Sequence, residues 1–329
     1  MIANQFFCAT QSPRPWLRLG STLLLFALAL ASGCEEPAPT PPEELPDAGP
    51  TLLSGSWNPS LNMGGPWGHD GNPLVSEHFM VFSGYASTEA RQIAADIAEE
   101  SLAEIFDYVG VTTDDFGWQP NWEPKKIHIL ALAQQDFRTN SGFAYRDGLV
   151  ILSTEHENYQ NFGFDMDRYK RLIKHEGYHV VEFLLIGDPQ YQQGNDVWLR
   201  EGMAQFVSGP RPEQITSRQQ LDDWRAAHID VDGAGNPIAV HVWSDFPDEI
   251  LNSGQTYSYY QLFELAVRYL LDENGLGKTP RDLVRIYDDL GRGLPFHVAF
   301  ELHMGMSLQS FHDNFWQLMN GYLAAINNL

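Results

Sequence analysis

The chain has 329 residues, of which 43% are hydrophobic and 12% aromatic, enough to build a sizeable core and too much for a chain disordered from end to end. Its formal net charge is −23, which argues against a nucleic-acid partner and against basic attachment to an anionic membrane surface. The two cysteines, Cys8 and Cys34, both lie near the N-terminus, so the rest of the chain can form no internal disulfide.

Residues 21–31, STLLLFALALA, form an apolar run of signal-peptide length, too short to span a bilayer as a helix. Arg14 and Arg18 precede it with no acidic residue between. Ala31, Ser32 and Gly33 then lead into Cys34, and this resembles a bacterial lipobox, with alanine where leucine is usual. The resemblance implies a signal over residues 1–34, removal of Cys8 with it, and lipidation of Cys34 as the first mature residue. An ordinary secretory signal with an incidental cysteine is the alternative. Residues 35–75 open with EEPAPTPPEELPDAGP, which has almost nothing to bury and is expected to be an extended tether. Together these features imply export and anchoring to a bacterial cell envelope, at the outer membrane, the periplasmic face or the surface.

SEHFMVFSG, residues 76–84, alternates apolar and polar positions and predicts a strand. A helix is expected over 87–110, where Ser87 can cap the start and Gly110 can end it. KKIHILALA, 125–133, predicts a second strand, and SGFAYRDGLVILS, 141–153, a bent strand or hairpin turning at Arg146–Asp147–Gly148. From about 165 the pattern becomes helical: a helix to Gly187, a shorter one over 197–209, one around SRQQLDDWRAAH, and an amphipathic one over 259–275. PRDLVRIYDDLG and LQSFHDNFWQLMNGYLAAINNL supply two more. Strands with one helix, followed by helices, predict an α+β fold in two lobes, a sheet lobe at about 76–155 and a helical lobe at about 156–329.

The first long helix of the second half contains HEGYH. His175 and His179 stand four apart, one turn along a single face, so both imidazoles can reach one ion. Glu176 is rotated from His175 by about 100°, which puts it beside the metal, placed to take a proton from water. A catalytic zinc takes three protein ligands and leaves a position open. Glu201 in WLREGMAQF is the best candidate for the third, 22 positions after His179 and across a helical hairpin that Trp198, Phe206 and Val207 would anchor. Gly177 within the helix suggests tight packing or a close approach there. The other histidines, including His69, His78, His156 and His312, have no ligand spacing and read as surface or core residues.

HEGYH followed by WLREGMA resembles the gluzincins, specifically the peptidase MA-like proteins distantly related to the aminopeptidases of the thermolysin clan, which carry HExxH and then W-x-x-E-G-x-A. Softer similarity covers about residues 76–320. The resemblance implies a zincin-like two-lobed fold and one zinc ion held by His175, His179 and Glu201, with Glu176 as general base. Tyr260 falls where a tyrosine would stabilise the oxyanion, and Tyr257 is the alternative, because Phe263 replaces a usual small residue. Gln205 is the expected acceptor for the second ring N–H of a ligating histidine. The cleft strand, GFAYRDG, has no acid before its alanine, so an endopeptidase is expected rather than an aminopeptidase. A peptide or protein would be the substrate, a lipid membrane the partner through acylated Cys34, and the chain a monomer. The alternative is a non-catalytic zinc-binding or protein-binding module on the same fold.

Overall fold

The computed structural model describes residues 72–116, 126–133, 142–145, 148–186, 196–228 and 256–327. The expected signal, the expected lipobox with Cys34 and nearly all of the expected tether lie outside these residues, as do Arg146 and Asp147 of the expected turn. The described part is mixed α+β: a small mixed sheet followed by a mostly helical remainder.

Strand β1 (Leu74–Val75) pairs antiparallel with β2 (Phe79–Gly84). Strand β1 thus lies within residues 35–75, the stretch expected to be tether. Helix α1 (Thr88–Val109) connects β2 to β3 (Ile127–Leu132), a parallel neighbour, which a crossover of this kind permits. The Ser87 side chain accepts from the Ala90 N–H at its start, and Gly110 ends it in the left-handed region at φ 70°. Strand β5 (Gly148–Leu152) lies parallel to β3, and β4 (Gly142–Tyr145) pairs antiparallel with β5, Tyr145 opposite Gly148, as the expected hairpin. The strand order is β1-β2-β3-β5-β4, so β4 is an edge. Every residue of β3 and β5 is buried, His128 included, and all the others are apolar or glycine because both faces of the sheet centre are covered.

A short helix, α2 (Glu157–Phe162), precedes the long α3 (Met166–Ile186). Asp165 Oδ1 caps α3 by accepting from the N–H groups of Asp167 and Arg168 at 2.9 and 3.3 Å. Helix α3 packs on α1, β4 and β5, and on the helical part through α4 (Val197–Val207) and α7 (Pro280–Gly291). Between these come α5 (Arg218–His228) and α6 (Thr256–Leu271); α6 lies along α4. Then follow α8 (Phe296–Met304), α9 (Leu308–Asp313) and α10 (Phe315–Ile326). The C-terminal stretch expected as one helix breaks at Asn314, and α2 and α8 were not expected from the pattern. The reason for α8 is plain: FHVAFELHM is apolar nearly all round, so no stripe stands out against a polar face. Buried residues of the sheet and of the helices form one continuous core.

Candidate metal centre

Helix α3 carries its imidazoles where it passes from the sheet to the helical part. His175 and His179 are 8% and 7% exposed, Glu176 is 7% exposed, and the rest of the helix from Tyr178 to Val181 is fully covered. Glu201 comes from α4, which several contacts hold in place. Trp198, 1% exposed, is enclosed by Phe296, Phe300 and Phe311 at ring separations of 6.4, 6.0 and 5.2 Å. Gly202 lies against α6, where a Cβ would come within 2.5 Å of the Phe263 carbonyl oxygen. Glycine is thus the residue that lets the two helix backbones approach this closely. Phe206 and Val207 also anchor α4, Phe206 against Tyr108 at 5.7 Å.

Three donor atoms converge. His175 Nε2, His179 Nε2 and Glu201 Oε2 form a triangle with every side 3.3 Å. Ligands held tetrahedrally at about 2.0–2.1 Å from one zinc ion are roughly 3.3–3.4 Å apart, so the triangle has the size of a tetrahedral face. Glu201 Oε2 is buried and makes no hydrogen bond despite its two nitrogen neighbours. Such an atom is costly unless something else satisfies it, and a cation does so. The group His175, His179, Glu201 could therefore hold a metal ion, and among the described residues these three make up the group. Glu201 keeps 21% side-chain exposure, so the triangle is reached from solvent on that side.

The electrostatics follow from burial and crowding. Burial pushes His175 down to about 4, with the nearby His179 adding to the effect. Burial would also lower His179, but the Glu201 charge and the hydrogen bond to Glu182 outweigh it and raise it to about 10. Burial would raise Glu201, yet the charge of the adjacent His179, with His175 equally near, holds it well below the usual carboxylate range. Glu176 is not one of the three converging donors. Burial raises Glu176 to about 7, against the lowering effect of the His179 charge, with the Glu201 charge adding to the rise and a backbone hydrogen bond from Ala144 on edge strand β4 opposing it.

Tyr260 of α6 lies beside His175, their rings 6.0 Å apart and inclined at 27°. Tyr257 is in the first turn of the same helix, and its side chain lies outside what the structure describes. Gln205 does not have the expected role: it is 3% exposed, but the His179 Nδ1 is taken by Glu182 at 3.1 Å, and His175 Nδ1 has no hydrogen-bond partner among the described residues. On α4, residue 205 is one turn past Glu201, whereas Glu182 is one turn past His179 on the histidine's own helix and so reaches it directly. Glu182 is 0% exposed, and Arg200 Nε donates to its other oxygen. A single carboxylate inside the apolar run VVEFLLI was the available signal for it. Gly177 has no close approach: a Cβ there would meet only Ile105, at an ordinary 3.6 Å, at the edge of a small cavity lined also by Ala98, Ser101 and Leu102. No protein-family model matches this chain, and no curated protein sequence matches it.

Proposed function

We propose that this chain is a zinc-dependent peptidase of gluzincin type, an endopeptidase on a two-lobed zincin-like fold, held at the cell envelope through a lipidated Cys34. The observation that carries this reading is the 3.3 Å triangle of His175, His179 and Glu201 with Glu176 buried beside it. The donor set, two imidazole nitrogens and a carboxylate oxygen, suits zinc and would leave a fourth position for a reacting group. When bound, the ion would supply Lewis-acid polarisation of a carbonyl and lower the pKa of a water molecule.

The protein's own groups account for the remaining steps. Glu176, raised to about 7 by burial, can take a proton from the attacking water near neutral pH and return it to the leaving amine. The backbone hydrogen bond from Ala144 orients that carboxylate and places it next to the edge strand, where an extended peptide can lie. Tyr260, whose ring lies beside His175, would supply the hydroxyl that donates a hydrogen bond to an oxyanion. Phe143 precedes Ala144 on β4, where no acid is available to bind a free amino terminus, in keeping with endopeptidase action.

The purified full-length chain should hold about one zinc per chain, and His175→Ala or His179→Ala should abolish uptake. Glu176→Gln should keep the zinc and the fold while hydrolysis of a peptide library falls roughly 10²–10⁴-fold. Equal cleavage by wild type and Glu176→Gln, including none by either, would leave the non-catalytic binding module in its place. Cys34→Ser should release the chain from the membrane fraction; retention there would show an uncleaved signal instead.

A further inference from the structure

The ion pair between Glu182 and Arg200 does more than join two helices. Glu182 uses both carboxylate oxygens: Oε2 faces His179 Nδ1 at 3.1 Å, and Oε1 accepts from Arg200 Nε. Arg200 is the residue immediately before Glu201, and its guanidinium lies over the Phe183 ring at 5.2 Å from the centroid. One carboxylate therefore touches a proposed ligand on α3 and, through one arginine, the chain position next to the proposed ligand on α4. Resting on the metal-site reading above, we propose that Glu182 and Arg200 form a positioning pair for zinc. Glu182 holds the Nδ1 proton of His179 and so presents its Nε2 lone pair to the ion, while Arg200 locks Glu182 and sets α4 at the depth that brings Glu201 to the triangle.

The physical grounds are specific. A carboxylate with no exposure is expensive to bury unless both oxygens are satisfied, and here they are, one of them by the imidazole. A ligating histidine whose distal N–H is held by a carboxylate has a fixed tautomer and ring orientation and is the stronger donor. His175 has no such support among the described residues, since its Nδ1 lacks a hydrogen-bond partner. The order of the site thus depends on the His179 side. A pair whose only task was to tie α3 to α4 would need no contact with an imidazole.

The test separates positioning from mere attachment by measuring zinc affinity and stability together. On the full-length chain, zinc affinity is measured by competition with a chromophoric chelator, and stability of the chelator-stripped chain by urea unfolding. Glu182→Gln should weaken zinc binding roughly 10–100-fold. The double variant Glu182→Leu/Arg200→Met removes both charges and fills the space with apolar side chains, so it should recover stability while the weakened affinity persists. Should Glu182→Gln fail to fold, the double variant alone carries the comparison. Zinc affinity within twofold of wild type in the double variant overturns the proposal and leaves a structural tie. A wild-type chain that binds no zinc overturns the metal site and this pair with it, an outcome distinct from a zinc-binding wild type with unaffected variants.

Discussion

Gly202 on α4 and Phe263 on α6 are in backbone contact: a methyl group on Gly202 would lie 2.5 Å from the Phe263 carbonyl oxygen and 2.8 Å from its carbon. Neither is the flexible end of a side chain, so one helix must move. Gly202→Ala should destabilise the chain by about 1–3 kcal/mol, as overpacking does. Since Glu201 is the adjacent residue, zinc affinity should fall as well. Urea unfolding with a chelator competition checks both; a fully stable Gly202→Ala with unchanged affinity would refute the close approach.

The opposite outcome is expected at Gly177. Its missing Cβ would meet only Ile105 at 3.6 Å, beside a small cavity. Alanine there should stabilise by about 1 kcal/mol through helix propensity. Zinc stoichiometry should not change. A destabilised Gly177→Ala would mean that the helix needs its glycine for a movement the static packing does not display.

Tyr260→Phe keeps the ring that lies against His175 and removes only the hydroxyl. Zinc content should therefore be unchanged, and turnover should fall roughly 10²–10³-fold if the hydroxyl meets the oxyanion. Tyr257→Phe should be nearly neutral. The reverse order in a steady-state assay would transfer the role to Tyr257.

His312 provides a pH test away from the candidate metal site. Burial lowers its pKa from the ordinary 6.5 to about 4, with Asp313 opposing. Its ring lies 6.3 Å from that of Trp198, the aromatic anchor of α4. In the unfolded chain the imidazole takes up a proton as pH falls below about 6.5, whereas in the folded chain it stays neutral to about 4. Stability should thus decline as pH falls through this window, by about 1–2 kcal/mol from this residue after allowing for solvent screening. Carboxylates titrate nearby in pH, so the quantity to measure is the difference between wild type and His312→Gln from pH 7 to 4. Parallel stability curves would remove His312 as the cause.

The metal triangle was legible because its elements are local or strongly patterned. Two histidines one turn apart need only a helix, and the apolar run around them, with acids before it, specifies that helix. Glu201 followed from the motif spacing and from Trp198 as an anchor. The strand–helix–strand start was equally legible, since β3 is apolar but for His128 and α1 has both its caps in the sequence.

Contacts between segments were not legible in that way. Spacing along one chain placed Gln205 at a ligating histidine, but the partner is Glu182, because α3 presents its own carboxylate one turn past His179 before α4 can offer a side chain. Sequence periodicity cannot show that Arg200 neutralises that carboxylate, because the two residues meet only when the helices pack. The same holds for the two glycines. By themselves Gly177 and Gly202 look alike, each interrupting a helix next to a proposed site residue. Only the packing distinguishes them, since one faces a gap and the other a neighbouring backbone. The sequence by itself determined which residues bring metal-binding chemistry and which helices carry them. The tertiary structure decided how close those helices come, and so brought the three donor atoms to the spacing of one ion.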